Sequence, residues 1–188
     1  MKTRLEGKTV AILVTDGFEQ VELTDPKKAL EEAGATVHIV APKADRVQGL
    51  KHLEKGDTFA VDVSLEEAKA DDYWGLVLPG GVVNADHLRM NPDAVRFVHD
   101  FHGKGKMIAV ICHGAWILIE ADAIKGRRMT SYSSLQTDLR HAGAQWVDEE
   151  LVQDGPLITS RKPADLPAFN AALVEALAKA APMKDAVT

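Results

Sequence analysis

The sequence predicts a three-layer α/β sandwich around a mainly parallel sheet. Three observations carry that expectation. Four short apolar runs, at 8–14, 36–41, 75–78 and 107–111, are rich in Val, Ile and Leu and fit strands buried on both faces. Segments of helical length separate most of them, the pattern of βαβ units. Gly, Pro and Asp punctuate nearly every border.

The elements follow in order. KTVAILV at 8–14 is the first strand. A helix begins at Glu19 or Thr24 and runs to about Ala33, with Pro26 as a first-turn residue and Gly34 as its left-handed C-terminal cap. TVHIVA at 36–41 is the second strand. Residues 47–63 hold Gly49 and Gly56 without helical periodicity and read as a hairpin or loop insertion. Ser64-Leu-Glu-Glu67 is a capping box that predicts a short helix. GLVL at 75–78 is a core strand stopped by Pro79-Gly80-Gly81. Asn91-Pro92 opens a helix to about His102, closed by Gly103 and Gly105. MIAVI at 107–111 is a core strand that runs straight into Cys112-His113-Gly114 and an apolar helix to about Ala121. A helix at 134–141, strands at 145–152 and 156–160 and a last helix from about Asp165 complete the chain. In that last helix Leu166, Phe169, Leu173 and Leu177 share one face.

Composition narrows the function. A chain of 188 residues predicts one domain over 1–188, with a core from about 8 to 181 and a frayed tail at 182–188. Lys and Arg number 22 against 28 Asp and Glu, and the net charge of −6 opposes nucleic-acid binding. No apolar run reaches the roughly 20 residues of a membrane span, and the N-terminus has no signal-peptide core, so the expected location is the cytoplasm. One cysteine excludes an intrachain disulfide and a Cys-rich zinc site. His99 and His102 lie three apart on a helix without an obvious third ligand, and no metal is expected.

In a parallel sheet, ligands bind beyond the carboxyl ends of the strands. Three such ends carry chemistry: Thr15-Asp16-Gly17-Phe18-Glu19, Pro79-Gly80-Gly81 and Cys112-His113-Gly114. Cys112 lies between a strand and a helix, the place of a nucleophile at a sharp elbow, although only the downstream glycine, Gly114, matches that motif. The helix N-terminus is expected to lower the thiol pKa. Gly80 and Gly81 admit close backbone approach, and their N–H groups with that of His113 form a candidate oxyanion cradle. Glu19 is the candidate protonated acid facing the thiol. Glu22 and Asp25 read as ordinary acids of a helix N-terminus. For His113 the backbone N–H is the safer assignment than the ring.

TDGFEQVEL, VLPGG, AVICHGAWILIEAD, IKGRRMTSY and SRKPADLPAF, in that order over about 9–177, resemble the PfpI-type intracellular protease and deglycase family. That family belongs to the class I glutamine amidotransferase-like superfamily. The resemblance implies a flavodoxin-like sandwich, a Cys112 nucleophile, a protonated acid at Glu19 and an oxyanion pocket from Gly81 and the His113 backbone. It also implies self-association as a dimer or larger homo-oligomer. Asp86, just past the diglycine, is the matching candidate to complete a Cys-His-acid triad from an adjacent subunit. His141 is followed by Ala142-Gly143 rather than a His-x-Glu pair, which argues against glutamine hydrolysis.

The leading expectation is a stress-response enzyme of small reactive carbonyls or glycated adducts, of glyoxalase or deglycase type, requiring no cofactor. The alternatives are a cysteine peptidase using Cys112, His113 and Asp86, and a redox-responsive or chaperone-like protein without turnover.

Overall fold

The computed structural model describes residues 4–181. The expected tail at 182–188 lies outside the described residues. In chain order the elements are β1 (Thr9–Leu13), β2 (Phe18–Glu19), α1 (Gln20–Glu32), β3 (Thr36–Ala41), β4 (Arg46–Lys51), β5 (Glu54–Ala60), β6 (Val63–Ser64), β7 (Gly75–Leu78), α2 (Val82–Arg89) and α3 (Pro92–Gly103). Then follow β8 (Met107–Ile111), α4 (Trp116–Glu120), β9 (Arg128–Met129), α5 (Gln136–His141), β10 (Gln145–Trp146), β11 (Val152–Asp154), β12 (Leu157–Ser160) and α6 (Leu166–Lys179).

Seven strands form the central sheet in the order β11-β12-β8-β7-β1-β3-β6. All neighbours are parallel except the edge pair β11–β12. Alternation along each strand sends side chains to both faces. Ala11, Leu13, Leu76, Leu78, Ile108 and Val110 pack with Leu88, Phe97, Phe101 and Leu118 on one side. Val10, Ile12, Val77, Ala109 and Ile111 pack with Leu23, Leu30, Phe169 and Leu173 on the other. The result is the three-layer, flavodoxin-like sandwich. From β1 the chain moves outward to β3, then returns to place β7 on the opposite side. The β1/β7 boundary is therefore the topological switch point, where a parallel sheet opens a crevice.

Several expectations change in detail. α1 starts at Gln20, so Pro26 sits inside the helix rather than in its first turn. Proline lacks the N–H that would bond the Glu22 carbonyl one turn back. The Ser64–Glu67 capping box does not form: the Ser64 hydroxyl donates to the Glu67 carboxylate at 3.2 Å, the Glu67 N–H bonds the Ser64 carbonyl, and Ser64 belongs to β6 with only a turn after it. Residues 82–89 form a helix that no sequence signal announced. The strand expected over 145–152 is instead two short pieces, β10 and β11, in different sheets. The 47–63 insertion is a hairpin, β4–β5, to which β2 adds in parallel. No helix among the described residues is long and apolar enough to cross a membrane.

Asn91 caps α3, its side-chain oxygen accepting from the N–H groups of Asp93 and Ala94 at 3.0 and 3.1 Å. Asn91→Ala should lower stability by about 1 kcal/mol, read as a smaller urea midpoint, and leave the strand-end chemistry untouched. An unchanged midpoint would show that the cap contributes nothing.

Candidate active site

β8 delivers Cys112 to the sheet's carboxyl edge in a left-handed conformation, φ 61°. Such a conformation costs a non-glycine residue roughly 1–3 kcal/mol and persists only where the surroundings enforce it. The sulfur receives hydrogen bonds from the backbone N–H groups of Gly81 and His113. These two N–H groups, expected to cradle a substrate oxyanion, are directed here at the sulfur itself. Gly80 does not join them, because its N–H donates instead to Glu22 Oε1 at 3.1 Å.

The buried acid beside the thiol is Glu22. It is fully buried, and Cys112 is the side chain with which its carboxyl interacts. Its Oε2 has no oxygen or nitrogen partner. A proton on that oxygen satisfies it, because a carboxylic O–H can donate to the sulfur. Burial, and then the nearby charge of Glu19, push the Glu22 pKa up from 4.5 to about 8. Glu22 is therefore predominantly neutral at pH 7. Glu19, expected in this place, lies at the pocket rim and accepts the His52 N–H at 3.2 Å through Oε2 and 3.4 Å through Oε1. The reason is local. Phe18 and Glu19 form a strand, and strand alternation sends Phe18 into the core and Glu19 toward the hairpin. α1 then begins at Gln20, and its first turn aims Glu22 back at the sheet edge.

Burial pushes the Cys112 thiol pKa up, and the Glu22 charge adds to this while the two N–H groups oppose it. The helix expected to lower the thiol pKa is short. The segment after Cys112 is one 3-10 turn and a five-residue helix, too short for a large macrodipole. With Glu22 neutral its charge no longer opposes ionisation, which leaves burial against the anion and the two N–H groups in its favour.

The His113 ring, and not only its backbone N–H, faces the thiol. Its Nδ1 lies 3.3 Å from Cys112 Sγ, and its Nε2 lies 3.3 Å from Ser134 Oγ. Tyr132 stacks on the ring at 4.7 Å between centroids, and Trp116 meets it edge-on at 5.6 Å. Burial lowers the imidazole pKa, which favours a neutral ring able to accept a proton. Asp86 is exposed on α2, and within this chain it is Ser134 that faces Nε2. Asn84, buried on the same helix, donates to the Pro79 and Gly80 carbonyls at 3.2 and 3.1 Å and accepts the Thr15 N–H at 2.8 Å. It ties the β1 end to the β7 turn.

Cys112 opens into a pocket of about 430 Å³, whose lining includes Glu19, Gly81 and His113. Among the described residues no cluster of His, Cys, Asp and Glu is arranged to hold a metal.

Residues 8–176 match the model of the DJ-1/PfpI family. The chain belongs to the DJ-1/PfpI family. It is 42% identical over 168 residues to a deglycase of Pyrococcus abyssi, covering 89% of this chain and 98% of the relative. It is 40% identical over 164 residues to a Bacillus subtilis protein, YraA, whose name assigns it provisionally to the cysteine proteases, covering 87% and 95%. Among solved structures, Drosophila melanogaster DJ-1beta superposes with a TM-score of 0.84 at 26% identity, covering 92% and 91%. DJ-1/PfpI membership agrees with the resemblance read from the strand-end motifs.

Proposed function

We propose that this DJ-1/PfpI chain turns over small reactive carbonyls or glycated adducts through Cys112. The observation that carries the reading is a fully buried acid, Glu22, tied to the Gly80 N–H and set with an unpartnered Oε2 beside the buried Cys112 thiol. The thiolate adds to an aldehyde carbon of a 2-oxoaldehyde, forming a C–S bond, and the carbonyl oxygen takes a proton. The hemithioacetal carbon loses its hydrogen to a base, through an enediol, and the adjacent carbon gains one. The product is a thioester of a 2-hydroxy acid. Water cleaves it, releasing the acid and regenerating the thiol, so methylglyoxal plus water gives lactate. Glu22 is the group placed to move protons, and a positioned acid or base typically contributes about 10²–10⁴-fold. The names of deglycase relatives support the same class of substrate.

A peptidase is the second reading, favoured by the contact between His113 Nδ1 and Cys112. There the exposed Asp86 would approach His113 from a second copy of the chain, in a homo-oligomer.

One substrate panel separates the readings. Lactate from methylglyoxal, release of amine from a glycated lysine, and cleavage of a fluorogenic peptide are measured in parallel for wild type and Cys112→Ser. The expected result is carbonyl or adduct turnover in wild type, lost by at least about 10³-fold in the variant. Peptide cleavage alone would select the peptidase. No turnover on any arm would remove both enzyme readings.

A further inference from the structure

Resting on the carbonyl reading above, we infer that the preferred substrate is an uncharged 2-oxoaldehyde bearing an aryl or comparably large apolar substituent, selected by the hairpin tip at Leu53 and screened for charge by Glu19. Three observations place this specificity at the pocket.

The first is size. The space above Cys112, about 430 Å³, is in the range of sites that enclose ligands much larger than a three-carbon aldehyde. Methylglyoxal would leave most of it filled with water.

The second is the character of the wall. Five large apolar side chains stand exposed among the described residues, and four of them, Leu53, Val82, Val83 and Tyr132, line this one pocket. Leu53 is 96% exposed at the tip of the β4–β5 hairpin, where it packs against nothing in the chain. Leu50 and Pro163 extend the same surface. Apolar area that is exposed on the single chain and borders a nucleophile is a surface for an apolar ligand group.

The third is charge. No Lys or Arg lines the pocket, while Glu19 does, held at the rim by the His52 N–H. An anionic group beside a carboxylate in a largely apolar cleft has no cation to pair with. The site therefore discriminates against substrates carrying a carboxylate on the substituent.

The test compares kcat/KM for methylglyoxal, phenylglyoxal and 4-carboxyphenylglyoxal. Phenylglyoxal yields mandelate by the same balanced addition of water. Wild type should favour phenylglyoxal over methylglyoxal by at least about tenfold, and phenylglyoxal over its carboxylated analogue by a similar factor. Leu53→Ser, at a side chain without packing contacts, should lower the first ratio several-fold. Glu19→Gln keeps an acceptor for the His52 N–H and should lower the second ratio. Its effect on Glu22 and Cys112 acts on all three substrates and cancels in the ratio. Methylglyoxal turnover with ratios near one, or ratios unmoved by both variants, would overturn this inference and leave the carbonyl reading standing. No turnover of any of the three would overturn both.

Discussion

Glu22→Gln is expected to reduce carbonyl turnover by about 10²–10⁴-fold while the protein stays folded. The amide keeps the volume, keeps an oxygen to accept the Gly80 N–H, and keeps a donor toward the sulfur. It cannot carry a proton between two carbons. Alkylation of Cys112 by iodoacetamide should therefore survive the substitution, and only turnover should fail. The variant also has a signature in stability. The folded wild type holds the Glu22 proton up to about pH 8, whereas an ordinary glutamate releases it near 4.5. Between those values the native state binds more protons than the unfolded chain, so stability falls as pH rises. The contribution is complete below about 4.5 and is lost as pH passes through 8. Its size is on the order of a few kcal/mol. Urea midpoints at pH 5 and 8.5 should diverge more for wild type than for Glu22→Gln. Parallel pH profiles together with full turnover in the variant would show that the buried acid does neither job.

Gly80→Ala should be nearly as damaging through a different route. A Cβ at Gly80 would stand 2.6 Å from Glu22 Oε1, 2.7 Å from Cys112 Cβ and 3.0 Å from the His113 nitrogen. None of these is the free end of a flexible side chain. The carboxyl is buried, Cys112 Cβ is fixed by its strained backbone, and the third atom is main chain. Something must shift, and each candidate belongs to the proposed chemistry. We expect kcat/KM to fall at least about 100-fold and stability by roughly 2 kcal/mol. A variant with wild-type kcat/KM and urea midpoint would mean that the three strand ends are not packed as described.

The strand ends were legible because short apolar runs bounded by glycine, proline and aspartate leave little freedom of assignment. β3 and β8 match the expected runs closely. Glu22 was not legible by the same route. Counting residues past the first strand favours Glu19, since it is nearer the strand end. The missed signal is on the helix itself. Glu22, Pro26 and Leu30 are four apart, and all three are buried, so an acid stands in the buried row of α1. An acid in such a row requires neutralisation or a partner. The α2 helix escaped for another reason. It is eight residues long, its buried positions include the polar Asn84, and it starts at Gly81 with φ 89°. Nothing in that segment forms an apolar stripe. The His113 ring contact also depends on tertiary neighbours, Tyr132 and Ser134, some 20 residues away in sequence.

Asn84 has a consequence for how the molecule can respond to a ligand. One side chain bonds the end of β1 and both carbonyls of the turn after β7. Those segments therefore move together or not at all, and the nucleophile rests on a floor that is preorganised before anything binds. The opposite wall is built differently. The β4–β5 hairpin reaches the site through its tip, held to Glu19 by the His52 N–H, with Leu53 projecting free. Leu53 at the hairpin tip is thus separate from the packed strand ends, so that position can vary in sequence without disturbing Cys112, Glu22 or the turn after β7.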